Sequence, residues 1–212
     1  MRNTLLVVCT ANTCRSPLAV AAFDHALVRH DFRTRITLRS RGEDAEPGRP
    51  VCEQVLHTAR RHGLDTRLVE GHVATPLDLD ELTAASLVLA ADRGVRAKVL
   101  KLDPRLAGRT FTVREATALS RLVAADDLSD PRADRGLDGF AAALNDNRGL
   151  TGLPATERSL ALPWRRLAVH AHDVPDAHLE ARVSHRLVYR TLVPAVEELV
   201  VRLAAFATVR QG

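Results

Sequence analysis

The chain has 212 residues, of which 46% are hydrophobic and 26% charged, as in soluble globular proteins with one full core. The net charge of +4 does not predict nucleic-acid binding, because aromatic residues make up only 3% of the chain and the arginines are interleaved with acids. No apolar run reaches the roughly eighteen residues of a membrane span, and the first apolar stretch is too short for a signal peptide, so we expect one domain over residues 1–212, in the cytoplasm and away from membranes.

Strands and helices are predicted to alternate along the chain. Residues 5–8 are consecutively apolar and predict a strand buried on both faces, and a helix follows over residues 17–29 with Ser16 as its N-cap. The later predicted elements are a strand at 36–40, a helix from Val51 that ends before Gly63, a strand at 86–90, a basic helix at 94–102 and a strand at 110–113. This alternation predicts an α/β fold, in which helices cover both faces of a parallel sheet and ligands bind beyond the carboxyl ends of its strands.

A thiol and a guanidinium, Cys9 and Arg15, lie in the loop between the first strand and the first helix. Unpaired N–H groups and the positive end of the helix dipole make this place favourable for a bound dianion and for a thiolate. The fork of Arg15 can bind two oxygens of a phosphoryl group, and Ser16 can stabilise the sulfur by hydrogen bonding. Asn12 tolerates left-handed backbone geometry and can tie the loop to itself. These residues predict a nucleophilic cysteine in an oxyanion-binding loop.

The segment VCTANTCRSP, residues 8–17, resembles the signature V-C-x-G-N-x-C-R-S-P of the low-molecular-weight protein tyrosine phosphatase family, with an alanine in place of the glycine. Residues 38–42 and 82–92 look like the family's second and third strands with their flanking turn and helix. The resemblance implies the phosphotyrosine protein phosphatase I-like fold, a three-layer α/β/α arrangement around a four-stranded parallel sheet. It also implies phosphomonoester hydrolysis through a phosphocysteine on Cys9, without a cofactor. The implied substrate-binding loop comprises Thr10, Ala11, Asn12, Thr13 and Cys14, beside the catalytic Arg15 and Ser16.

The resemblance further requires an aspartate shortly before the last helix, as the acid that protonates the leaving oxygen and then activates water. Two residues compete for this role: Asp176, which directly precedes an amphipathic segment at 179–207, and Asp130, which has the family's following proline. Position in the chain favours Asp176, and Asp173 is a third candidate. Ala177 replaces the usual proline and the paired tyrosine is absent, so a preference for phosphotyrosine does not follow.

Residues 114–171 are the main departure from the family, with roughly fifty residues more than expected between the fourth strand and the acid. They include a charged stretch and short helical patterns near 139–145 and 163–170. We expect an insertion within the domain, whose role as a lid, a wall of the substrate site, an oligomer contact or a solvated surface segment stays open.

Three functions remain open from the sequence. The first is a phosphatase that acts on a phosphorylated protein or a small phosphomonoester. The second is an arsenate reductase, since arsenate has the shape and charge of phosphate; because Cys52 is the only cysteine outside the loop, it would depend on a low-molecular-weight thiol. The third is a phosphate-binding module without turnover, against which the intact Cys9, Arg15 and Ser16 argue.

The three cysteines predict neither a disulfide framework nor a metal site. Their number is odd, they form no C-x-x-C pair, and no group of His and Cys has zinc spacing in the sequence. Within the loop, Cys14 is near enough to Cys9 for a reversible disulfide on oxidation, and its alternative role is to pack beneath the loop.

Overall fold

A computed structural model describes residues 3–32, 35–123, 136–149, 158–162, 165–181 and 183–208. The strands are β1 (Thr4–Cys9), β2 (Thr37–Gly42), β3 (Leu87–Ala90), β4 (Thr110–Thr112), β5 (Arg158–Leu162) and β6 (Arg165–Val169). The helices are α1 (Arg15–Arg29), α2 (Glu53–Arg61), α3 (Arg67–Glu70), α4 (Leu79–Ala84), α5 (Arg93–Leu102), α6 (Val113–Ser120), α7 (Leu137–Asp146) and α8 (His185–Thr208). Short 3-10 turns cover Pro104–Arg109 and Asn147–Gly149. None of these described helices is long and apolar enough to cross a bilayer.

Four parallel strands form the central sheet in the order β2-β1-β3-β4, and β5 pairs with β6 in a separate antiparallel ribbon. β1 lies between β2 and β3, which explains its unbroken apolar sequence, because an interior strand of a covered sheet is buried on both faces. Cys9 pairs with Gly42, and Val8 pairs with Ala90, so the carboxyl ends of these three strands meet at one edge. The predicted α/β fold with a four-stranded parallel sheet is confirmed.

Alternate side chains of β1 enter two different cores. Leu5 and Val7 lie in a large cluster with residues of α1, α6, α7 and α8, whereas Leu6 and Val8 lie in a smaller cluster with residues of α4 and α5. The period of two in a strand therefore separates the helices into layers on opposite faces of the sheet. The three-layer α/β/α arrangement is confirmed as well.

The first helix begins two residues earlier than the sequence predicts. Arg15 is the first residue of α1 and Cys14 is its N-cap, so the assignment of Ser16 as the N-cap is wrong. The physical reason is that the Ser16 hydroxyl is engaged within the loop, with the side chains of Cys9 and Asn12.

Three later predictions differ from the structure. Within the helical pattern predicted near 163–170, residues 165–169 form β6 and pair with β5 instead, and residues 163–164 lie outside the described residues. The strand predicted at 110–113 ends at Thr112, where a capping box between Thr112 and Glu115 starts α6. The final helix begins at His185 rather than near residue 179, after a stretch of turns.

The described helices within residues 114–171 belong to the main core. Leu119 of α6 and Leu144 of α7 are buried, and Phe140 of α7 packs edge-on against Phe206 of α8 with ring centroids 5.3 Å apart. The helical pattern predicted near 139–145 is confirmed within α7. This part of the segment is therefore not a solvated excursion.

Candidate active site

The loop of residues 10–14 connects the end of β1 to α1 at the carboxyl edge of the sheet. Asn12 has the predicted left-handed conformation, with φ of 54°, whereas Ala11 does not, so the alanine methyl group causes no backbone strain there.

Gly42, at the end of β2, lies against this loop. A Cβ on Gly42 would be only 2.7 Å from the carbonyl oxygen of Thr10 and 2.9 Å from the backbone nitrogen of Asn12. A glycine is therefore required for the close approach of β2 to the loop.

The buried side chain of Asn12 ties the loop to its neighbours. Its Nδ2 donates to the hydroxyls of Ser16, at 2.8 Å, and Ser40, at 3.1 Å, while its Oδ1 accepts from the backbone N–H of Thr75 at 2.9 Å. The carbonyl of Asn12 accepts from Nε2 of His72 at 2.7 Å. Burial lowers the pKa of the His72 imidazole, so the ring is neutral at neutral pH and holds the loop as an N–H donor.

Two donors converge on the Sγ atom of Cys9. The backbone N–H of Asn12 donates to it at 3.3 Å, and the hydroxyl of Ser16 lies 3.0 Å away. Because the Ser16 oxygen already accepts from Asn12 Nδ2, its own proton is available to the sulfur. The sulfur is thus surrounded by groups that stabilise negative charge.

The guanidinium of Arg15 is only 3% exposed and lies between two aspartates. Nη1 donates to Oδ2 of Asp92 at 2.6 Å and to the carbonyl of Val174 at 3.1 Å. Nη2 donates to the hydroxyl of Thr10 at 3.1 Å and to Oδ2 of Asp176. Burial alone would lower the pKa of Arg15, but the surrounding negative groups outweigh it and raise this pKa. The site therefore contains a permanent cation that is fixed in position.

Asp92 holds Arg15 from the end of β3, and the sequence analysis did not identify it. Its Oδ1 accepts from the backbone N–H of Val95 at 2.8 Å as the N-cap of α5, which leaves Oδ2 for the guanidinium. The sequence did contain an indication of this contact. Asp92 follows a predicted strand, and because parallel strands end at the same edge of a sheet, its side chain could be expected near Cys9 and Arg15.

The segment 172–178 brings Asp176 to the loop, although 161 residues separate it from Arg15. The backbone N–H of Val174 donates to the carbonyl of Ala91 at 2.9 Å, which fixes this segment beyond β3. Asp173 points elsewhere and pairs with Arg93 at 3.2 Å. Of the three candidate acids, the structure places Asp176 against Arg15 and Asp173 away from it, and Asp130 lies outside the described residues.

Cys14 faces a thiol that does not belong to the loop. It is buried, Cys52 is half-buried before α2, and the two side chains contact each other. A hydrogen bond from Cys14 lowers the pKa of Cys52 to about 4, and the same contact together with burial raises the pKa of Cys14. The sulfur of Cys52 also lies 3.3 Å from Nε2 of His185. The sequence offered no local pattern from which this contact could be predicted.

A cysteine sulfur held by two donors before a buried arginine, at the carboxyl edge of a parallel α/β sheet, is the arrangement of a class of cysteine-dependent phosphoryl-transfer enzymes. The sequence model of the family described as low molecular weight phosphotyrosine protein phosphatase matches residues 4–147. The chain belongs to this family and is a cysteine-dependent phosphatase. The matched residues include the whole loop around Cys9 but end before the segment that carries Asp176.

Relatives of known name agree with this assignment. The probable low molecular weight protein-tyrosine-phosphatase EpsP of Ralstonia nicotianae is 28% identical over 144 residues, which cover 68% of this chain and 88% of that protein. A protein-arginine-phosphatase of Bacillus subtilis is 30% identical over 112 residues, which cover 52% of this chain and 70% of that protein. The crystal structure of YfkJ from Bacillus subtilis, 18% identical, covers 93% of this chain and 92% of its own with a TM-score of 0.61, and it shows the same fold. An arsenate reductase and a module without turnover are therefore not favoured.

Proposed function

We propose that the protein removes phosphate from phosphorylated proteins by way of a phosphocysteine on Cys9. The observation that carries this proposal is that Arg15, which begins α1 directly after the loop that follows Cys9, is contacted by Asp176 from near the other end of the chain. A nucleophile, a fixed cation and an acid therefore meet at one place. The three cysteines, an odd number without the spacing of a disulfide framework, support a cytoplasmic site of action.

In the first step, the thiolate of Cys9 attacks phosphorus, an S–P bond forms and the bond from phosphorus to the leaving group breaks. Arg15 and the backbone N–H groups of residues 10–14 bind the phosphoryl oxygens as their charge is redistributed. Asp176, in its protonated form, gives its proton to the leaving atom. Because Asp176 contacts Nη2 of Arg15, an incoming phosphoryl group competes with it for this donor and leaves the carboxyl beside the scissile bond.

In the second step, the ionised Asp176 takes a proton from a water molecule whose oxygen attacks phosphorus. The S–P bond breaks, inorganic phosphate leaves and the electron pair returns to the sulfur of Cys9. Ser16 stabilises this leaving thiolate through the hydroxyl that lies 3.0 Å from Sγ. Asp176 therefore acts once as an acid and once as a base, and the cycle needs no cofactor.

The next question is which phosphorylated side chain the protein acts on. The names of the two relatives refer to phosphotyrosine and to phosphoarginine in proteins, and both substrates present the same phosphoryl group to the loop. The segment 172–181 has no aromatic residue other than histidine, so it provides no wide ring to pack against a phenyl group. We therefore propose that recognition rests on the phosphoryl group, with small aryl phosphates as further substrates.

One assay tests the function directly. Phosphate release is measured from a small aryl phosphate, a phosphotyrosine peptide and a phosphoarginine peptide, for the wild type and for Cys9→Ser. We expect release from the aryl phosphate and from at least one peptide, and none with Cys9→Ser. Failure to hydrolyse any of the three, with arsenate reduced in the presence of a small thiol, would overturn the proposal.

A further inference from the structure

Four potential metal ligands from four separate segments meet at the catalytic loop, to which one of them belongs, and the proposed reaction does not use their side chains in this way. They are two thiols and two imidazoles: Cys14, Cys52, His178 and His185. We call them the Cys2His2 cluster. Cys14 caps α1 and Cys52 caps α2, His185 begins α8, and His178 follows Asp176 by two residues.

Three ligand atoms of the cluster lie near one another, and the fourth, Cys52 Sγ, contacts one of them. Nε2 of His185 lies 3.3 Å from Nε2 of His178 and 3.3 Å from Sγ of Cys52. The ligand atoms of Cys14 and both histidines all lie within 4.8 Å of one another. With bonds of about 2.3 Å to sulfur and about 2.0 Å to nitrogen, the ligand atoms of a tetrahedral zinc site are separated by about 3.3–3.8 Å. Cys52 Sγ is not part of this three-atom group, so its side chain would have to rotate toward the group for the four atoms to reach these distances.

Hydrogen bonding alone does not account for this convergence. The Nε2 atom of His185 has either one proton or one lone pair along a single direction, yet both His178 Nε2 and Cys52 Sγ face it at the same distance. The two rings are inclined by 80° with their centroids 5.0 Å apart, so they are not stacked. One cation between the ligands would satisfy all of them at once.

We infer that the Cys2His2 cluster binds one divalent cation of the zinc type in tetrahedral geometry. Coordination releases to solvent whatever protons the two sulfur atoms still carry, so two thiolates balance the charge of the cation while both imidazoles bind through neutral Nε2. His178 is exposed and leaves an entry path for the cation. The bound cation joins the segment of Asp176 to the catalytic loop and to the starts of two helices.

The test uses Co²⁺ as the first probe, because its absorption reports both tetrahedral geometry and thiolate coordination. Protein freed of metal by a chelator, and kept reduced by a phosphine, is titrated with Co²⁺. We expect one equivalent to bind, with intense d–d bands and a sulfur-to-cobalt charge-transfer band that Zn²⁺ abolishes by displacement. Zn²⁺ should also raise Tm and slow hydrogen exchange in residues 172–185.

Variants that leave the catalytic loop intact make the test specific. Cys52→Ser should lose part of the charge-transfer band, and both Cys52→Ser and His185→Gln should weaken Co²⁺ binding by at least about 100-fold and abolish the Tm shift. His57→Gln, which changes an exposed histidine of α2 outside the cluster, should bind as the wild type does. All three variants should keep their hydrolytic activity without metal, which shows that they are folded.

Three results would each overturn the inference. One is that the reduced wild type binds no Co²⁺ or gives only the weak spectrum of octahedral coordination. Another is unchanged binding in Cys52→Ser or in His185→Gln. The third is a complex that disappears in Cys9→Ser and survives in the other variants, which would place the metal on the catalytic thiol.

Discussion

The two parts of the site are built in opposite ways. The loop of Cys9 and Arg15 is a local structure, in which a few consecutive residues hydrogen-bond to one another, to Ser40 of β2 and to Asp92 just after β3. The segment of Asp176 is placed by long-range contacts, through the backbone of Val174 to Ala91 and the side chain of Arg114 to the carbonyl of Asp173. A local motif can be recognised in the sequence alone. The position of a residue that is held by tertiary contacts can be determined only from the folded structure.

The largest effect on turnover is expected in the loop of Cys9 and Arg15. Cys9→Ser removes the nucleophile but keeps the oxyanion-binding groups, so turnover of an aryl phosphate should fall by about 10⁴ or more while phosphate still binds. Steady-state kinetics and phosphate-binding calorimetry measure the two quantities. Cys52→Ser is the matched control and should retain its activity. Residual turnover of more than a few per cent in Cys9→Ser would contradict the role of Cys9.

The second largest effect is expected at Asp176, whose segment is held by long-range contacts. Asp176→Asn should slow hydrolysis of an ester with a poor leaving group by about 10²–10⁴, because that group needs a proton as it departs. In kcat/KM, which reports the transfer of phosphate to Cys9, esters with very acidic leaving groups should be slowed much less. Asp130→Asn should resemble the wild type. The reverse order of these two variants, in the same kinetic comparison, would transfer the acid to residues 114–171.

A smaller loss of activity and stability is expected at Gly42, where β2 packs against the loop. In Gly42→Ala, the new Cβ would meet the side chain of Ala45 and the backbone of Thr10 and Asn12, of which the backbone atoms cannot rotate away. We expect kcat/KM to fall by about 10-fold to 100-fold and the free energy of unfolding by about 1–3 kcal/mol. Gly71→Ala is the control, since nothing lies within 4 Å of a Cβ there. Equal behaviour of the two variants in kinetics and denaturant unfolding would show that the loop tolerates displacement.

The smallest effect is on the pH dependence of stability. The pKa of His72 in the folded protein lies below its ordinary value of 6.5, mainly because of burial, and burial lowers the pKa of His172 too. The unfolded chain therefore binds more protons as pH falls through about 6.5, so the free energy of unfolding should decrease below this pH. His72→Gln keeps an N–H donor for Asn12 but does not titrate, and should make this decrease shallower. Urea unfolding between about pH 7 and pH 5 measures how steeply the free energy of unfolding falls with pH in each protein. If this fall is as steep in His72→Gln as in the wild type, or steeper, His72 does not have a lowered pKa in the folded protein.

The sequence predicted the sheet, the first helix and the loop because each depends on residues that are close together in the chain. The four apolar residues of β1 and the following Cys9 and Arg15 are such a case. It did not predict Asp92 as a partner of Arg15, nor the support of Asn12 by Thr75, because these contacts depend on how separate strand ends meet. The prediction that the chain has no metal site used local spacing, whereas residues 14, 52, 178 and 185 come together only in the folded chain. The roles of the candidate site residues stay predictions until the variants are measured.

The proposed mechanism transfers phosphate to Cys9 and uses Asp176 to release it. Asp176→Asn, mixed rapidly with an aryl phosphate whose leaving group is very acidic, should release leaving group in a burst of one equivalent before a slow steady state. Mass spectrometry of the quenched enzyme should find the phosphoryl group on the peptide that contains Cys9. Turnover without a burst, or a phosphoryl group on any other residue, would contradict the account.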